Sequence, residues 1–100
     1  MTPVKNTPAE FALFDPVPNP FNPSTTLSFA LPTTSRVKLE VFDVRGQLVA
    51  TLLDERRSAG VHHVTWNARD RSGQAVASGV YLCRIQAGSF TDTKRMVLLK

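Results

Sequence analysis

The chain carries few side chains able to do chemistry, and their spacing disperses them. His62 and His63 are adjacent, which invites a metal-binding or acid–base role. On a strand, however, neighbours point to opposite faces, so tandem imidazoles cannot readily converge on one ion. The only thiol, Cys83, sits between Tyr81 and Ile85 in an alternating apolar run, with no histidine–carboxylate pair legible around it. It reads as a small buried hydrophobe, not as a nucleophile. Asp54 and Glu55 diverge as the histidines do, while Asp15, Asp43 and Asp70 each sit in turn chemistry. Asn67, Asp70 and Ser72 have the alternate spacing of a calcium loop, but Arg69 and Arg71 bring the wrong charge for a hard cation, and a turn is the better reading. Trp66, a candidate sugar-stacking platform, alternates inward with Val64 and reads as the centre of a core. No catalytic residue, metal ligand or cofactor is expected.

The elements that position these residues follow a period of two. One hundred residues with 42% hydrophobic and 20% charged composition support one compact core. A lone cysteine leaves packing to hold it together. Residues 1–10 are polar, contain Pro3 and Pro8, and read as a linker or an expression remnant. Residues 11–23 place three apolar anchors before closely spaced prolines. Proline fixes φ and removes a donor, so this stretch is predicted to be extended, polyproline-like and unable to join a sheet centrally. It reads as a rigid lead-in that plugs the sandwich end with Phe21, as a preformed ligand for a receptor groove, or as both, since the two roles are compatible.

From Thr25 onward, Leu27, Phe29 and Leu31 share one face of a predicted strand, and Val37, Leu39 and Val41 share one face of the next. Pro32-Thr-Thr-Ser35 makes a hairpin or a corner between sheets. Asp43-Val-Arg-Gly46 is a turn before a strand over 47–54, where a helix is also conceivable but Gly46 and Gly60 leave little room. A fourth strand turns His62, Val64 and Trp66 to one side. After a polar turn at 67–74, a fifth turns Tyr81, Cys83 and Ile85 to one side, and a last strand runs from Phe90 to Leu99. Six or seven antiparallel strands in this length imply an all-β, two-layer sandwich.

The net charge of +4 is spread over residues such as Arg36, Lys38, Arg56, Arg84 and Arg95, with no basic run longer than two. Nucleic-acid binders gather such charge and add stacking aromatics, so no nucleic-acid partner is expected. No apolar stretch approaches the roughly 20 residues that cross a bilayer, so no membrane insertion is expected. The N-terminus lacks a signal peptide's apolar run, and targeting for export would lie upstream in a longer precursor.

Five stretches occur in order: Pro18-Asn-Pro-Phe-Asn-Pro-Ser-Thr25, Val37-Lys-Leu-Glu-Val-Phe-Asp-Val-Arg-Gly46, Ala59-Gly60 with Val64-Thr-Trp66, Ala77-Ser-Gly-Val-Tyr81, and Lys94-Arg-Met-Val-Leu98. Together they resemble the type A C-terminal sorting domains of the type IX secretion system, and equally the immunoglobulin-like domain of the flagellar hook-capping protein. The resemblance covers residues 11–100. It implies an immunoglobulin-like antiparallel β-sandwich of about seven strands at the C-terminal end of a larger protein, secreted or held at the cell surface. Its implied partners are translocon and cell-surface components. Its recognition features fall here on Pro18, Asn19 and Pro20, on Gly79 and Val80, and on Lys94, Met96, Val97 and Leu98. The alternatives are a structural module of an extracellular assembly that associates with copies of itself through strand edges, and a carbohydrate-binding module using Phe14, Phe21, Phe42 and Phe90.

Overall fold

The computed structural model describes residues 7–100. Its alternating segments form seven strands: β1 (Ala12–Leu13), β2 (Thr25–Leu31), β3 (Ser35–Asp43), β4 (Leu48–Arg57), β5 (Gly60–Trp66), β6 (Gly79–Ala87) and β7 (Phe90–Leu98). They pair antiparallel throughout, in sheets ordered β1-β2-β5 and β4-β3-β6-β7. This is an all-β sandwich, as the period-two pattern predicts, and its seven strands fall within the six or seven expected; the short β1 lies in the lead-in to the proline segment, where no strand is expected.

The core lies where alternation places it. Leu27, Phe29 and Leu31 of β2 and Trp66 of β5 meet Val37, Leu39 and Val41 of β3, Tyr81, Cys83 and Ile85 of β6, and Met96 and Leu98 of β7. The Pro32–Thr34 link is a corner: β2 ends in one sheet and β3 begins in the other. β4 continues three residues past the expected end at Asp54, because Glu55, Arg56 and Arg57 stay in register with Val37, Arg36 and Ser35. Register shifts after Leu39 and Val41 absorb the longer strand as bulges.

Two pentads have the same architecture. In Asp43-Val-Arg-Gly46-Gln47 the Asp43 carboxylate accepts the N–H groups of Arg45 and Gln47 at 2.9 and 3.0 Å. In Asp70-Arg-Ser-Gly73-Gln74 the Asp70 carboxylate accepts those of Ser72 and Gln74 at 2.9 and 3.0 Å. Gly46 and Gly73 take φ of +83° and +86°, a region that side chains resist. The first pentad joins β3 to β4. The second does not link long strands: it closes a small loop, with Arg69 bridging Ala75, inside the crossover between sheets. The Ser72 hydroxyl and then the Gln74 N–H hold the Asp70 carboxyl below its ordinary value.

The proline segment departs from the predicted polyproline-like run. Residues 18–20 and 22–23 are bends, and the peptide bonds before Pro18, Pro20 and Pro23 are cis. Along this path the chain changes sheets. Val17 bridges Thr26 of β2 antiparallel, and Phe21 bridges Leu98 of β7 in parallel. The segment meets sheets only at their edges, as a chain poor in N–H donors must. Residues 1–6 of the expected linker lie outside the described residues. Thr7–Glu10 form no strand and are largely exposed.

Candidate functional site

Phe21 is the anchor of the site. Its side chain is 2% exposed, and its ring centroid lies 5.7 Å from Trp66, which in turn meets Tyr81 edge-on at 5.2 Å. The polar ends of both partners are satisfied: Trp66 Nε1 donates to the Arg69 carbonyl at 3.0 Å, and the Tyr81 hydroxyl to the Ala77 carbonyl at 2.6 Å. Of the two compatible readings of the proline segment, the plug is the one visible in the fold.

The main chain around this plug closes the outer edge of β7. Phe21 N–H donates to the Val97 carbonyl at 2.9 Å, and Leu99 N–H donates to the Phe21 carbonyl at 3.0 Å. Asn19 extends the pairing with its side chain: Nδ2 donates to the Arg95 carbonyl and Oδ1 accepts the Val97 N–H, both at 2.9 Å. A carboxamide offers the same donor and acceptor as a peptide group, so Asn19 stands in for a strand residue where the prolines supply no N–H. The Thr25 hydroxyl secures the Pro18 carbonyl at 2.7 Å.

On the other flank of β7, Gly79 pairs with Leu98 and Val80 with Val97. Gly79 takes a φ of +154° at the start of β6. Met96 and Leu98 point into the core. The fold thus gathers Pro18, Asn19, Pro20, Gly79, Val80, Met96, Val97 and Leu98 around one end of the sandwich. Lys94 stands apart, its Nζ 3.4 Å from Asp15 Oδ1 beside β1.

Spacing alone did not find the Phe21–Trp66–Tyr81 cluster. A usable signal was present, since a tyrosine at a strand start, two residues before a buried cysteine, marks the corner where an immunoglobulin-type strand is tied to the chain preceding it. Replacing Tyr81 with Phe should keep the ring and lose the bond to Ala77, lowering unfolding free energy by about 1–2 kcal/mol in urea titration. An unchanged midpoint would mean that this bond holds nothing.

The other chemically able residues stay dispersed. His62 Nε2 lies 2.8 Å from the Ser58 carbonyl and its ring stacks on Phe29 at 5.3 Å, whereas His63 Nδ1 lies 2.7 Å from Ser28 Oγ on the opposite face. Asp54 pairs with Arg36 at 2.8 Å and Glu55 with Arg57 at 3.0 Å. Glu40 is buried in the outer face of the larger sheet, 3.3 Å from Arg84 and 3.8 Å from Lys38, and the Arg84 guanidinium covers Phe42 at 4.5 Å. Among the described residues, no three His, Cys, Asp or Glu side chains are placed to hold a metal ion. Of the aromatics proposed for sugar binding, Phe21 is core, Phe90 stacks on Phe11 at 5.4 Å and Phe42 lies under Arg84. Phe14 remains exposed.

Two antiparallel sheets of three and four strands, pinned by a core tryptophan and a tied tyrosine, define an immunoglobulin-like domain. Residues 19–90 match the FlgD Ig-like domain family, and the chain belongs to it. Among solved structures, FlgD from P. aeruginosa is 25% identical with a TM-score of 0.59, over 74% of this chain and 58% of that one. PorU from Porphyromonas gingivalis, in its dimeric latent form, is 21% identical with a TM-score of 0.70, over 96% of this chain and 10% of that one. PorZ from the same organism, described as an essential bacterial surface component of the type-IX secretion system, is 23% identical with a TM-score of 0.59, over 90% of this chain and 11% of that one. The last two likenesses are of fold. The chain spans 58% of the FlgD chain and about a tenth of the other two. No curated protein sequence matches it.

Proposed function

We propose that this domain is a non-catalytic sorting and surface-attachment module of an exported protein, recognised by secretion machinery of the type IX kind at the end of the sandwich closed by β7. The observation that carries the reading is the convergence of the Pro18–Pro20 segment, Gly79–Val80 and Met96–Leu98 on one edge. Likeness in fold to PorU and PorZ supports it. In this reading the partners are translocon and cell-surface components, reached through the periplasm, and the domain contributes shape and not reaction chemistry. Membership of the FlgD Ig-like family favours a second reading, a structural module of an extracellular assembly.

The test is export of a signal-peptide-bearing reporter fused to residues 11–100 in a host with a working type IX system. Truncation after Thr93 would remove Met96 and Leu98 from the core and unfold the domain, so recognition is better probed from outside. Val80 and Val97 pair on the outer face, half-buried. The wild-type fusion is expected at the cell surface, and the V80D/V97D fusion, folded by circular dichroism, is expected to stay in the periplasm. Periplasmic retention of a folded wild-type fusion, or unimpaired export of the double variant, would overturn the sorting reading.

A further inference from the structure

A two-sheet sandwich has four edges, and each exposes main-chain groups that can template another strand. Three are blunted here. β7 is closed by Asn19 and Phe21 along its second half, and Asp92 Oδ1 occupies the Thr93 N–H at 2.8 Å. β4 is bulged, carries Asp54-Glu55-Arg56-Arg57, and has its Val49 carbonyl taken by the Arg71 N–H at 3.0 Å. β1 is two residues long and lies beside β7, with Asp15 paired to Lys94.

The fourth edge, β5, has none of these devices. Gly60-Val-His-His-Val-Thr-Trp66 contains no proline, lysine or carboxylate, and its pairing with β2 is regular over seven residues. Which groups face outward follows from the other side of β2. Thr26 exchanges both main-chain bonds with Val17, and Ser28 accepts from Phe14, so the odd-numbered residues of β2 bond to β5. Their partners are Gly60, His62, Val64 and Trp66. The N–H and C=O groups of Val61, His63 and Thr65 therefore point to the open edge, and none has a partner among the described residues.

We propose that β5 pairs antiparallel with β5 of a second copy of this chain, about a two-fold axis at His63. Val61 then lies opposite Thr65 of the other copy, and His63 opposite its own counterpart. Each pair has its free donors and acceptors aligned, and inward residues remain inward across the seam. The chemistry favours a second copy because the edge complements itself. The strand bears no formal charge. The exposed Arg36, Lys38, Arg56 and Arg95 lie on the other sheet's outer face, and of the cations that flank the strand Arg57 is paired with Glu55 and Arg69 donates to the Gly73 carbonyl. The outer face that becomes continuous carries exposed Phe14, Val17 and Val61. The product is one sheet in the order β1-β2-β5-β5-β2-β1, closed by symmetry. It lies on the edge away from β7 and holds whether or not β7 is a sorting signal.

Analytical ultracentrifugation of the 100-residue chain tests this. The buried edge is small, so a dimer with a dissociation constant on the order of 10–100 µM is expected. V61K/T65K places lysine opposite lysine at both ends of the seam and should weaken the dimer at least about tenfold. V61E/T65K makes the same positions complementary and should retain it. Both side chains are already exposed, and circular dichroism verifies that each variant is folded. A chain that stays monomeric to about 1 mM overturns the proposal, including one that instead captures an extended uncharged peptide. So does a dimer indifferent to V61K/T65K, or one that V61E/T65K abolishes.

Discussion

Replacing Phe21 with alanine is expected to cost about 3–5 kcal/mol of unfolding free energy, the usual loss for a fully packed aromatic ring. Against a total of about 5–15 kcal/mol for a small domain, that brings the chain close to its folding threshold. The loss should exceed the ring's own burial, because Phe21 also fixes the segment that closes β7 through its N–H and carbonyl. Asn19→Ala separates the two effects. It leaves the plug in place, removes two partly solvated bonds, and should cost about 1–2 kcal/mol. Hydrogen exchange adds a positional readout. Asn19→Ala should expose the Val97 amide and spare that of Leu99, whereas Phe21→Ala should deprotect both. A Phe21→Ala loss below about 1 kcal/mol would show that the sandwich end stands without its plug.

Strand alternation is a local property and carries much of this core. β2, β3 and β6 each bury one face and solvate or pair the other, so alternation located their core residues individually. Strand alternation separated His62 from His63 and sent Trp66 inward, as found. The errors arise where the partner is distant. Asn19 acts as a strand residue only because Arg95 and Val97 lie beside it, 76 and 78 positions along the chain. No window around the prolines holds that information, so φ restriction alone predicts an extended, polyproline-like run where the chain bends between sheets. The end of β4 was missed for a related reason: Glu55-Arg56-Arg57 lacks alternation of its own and is strand because β3 is long enough to pair with it. The twin Asp-x-x-Gly-Gln pentads were visible in sequence, but which of them joins strands depends on sheet assignment. The gathered residues around β7 came from family resemblance, not from spacing, and the fold supplies their common location.

The Cys83 thiol should be about a thousandfold less reactive toward an aromatic disulfide reagent at about pH 8 in the folded chain than in the unfolded one. Its side chain is 0% exposed, and burial pushes its pKa from 9.0 up to about 12. Each unit removes a factor of ten from the thiolate that reacts. The same shift sets the sign of the pH dependence. A thiol that binds its proton more tightly when folded contributes stability below its unfolded value, and that contribution drains away as pH rises through about 9 toward 12. Tyr81 acts in the same direction from its unfolded value of 10.0, raised by burial and then by the Asp43 carboxylate. The urea midpoint should therefore show no loss from these two groups between about pH 7 and 8 and should fall at higher pH. Cys83→Ala should remove the earlier part of that alkaline decline and leave the part due to Tyr81. Rapid labelling of the folded chain, or a midpoint that climbs above pH 9, would place the thiol at the surface and break the alternation that puts Tyr81, Cys83 and Ile85 in one core row.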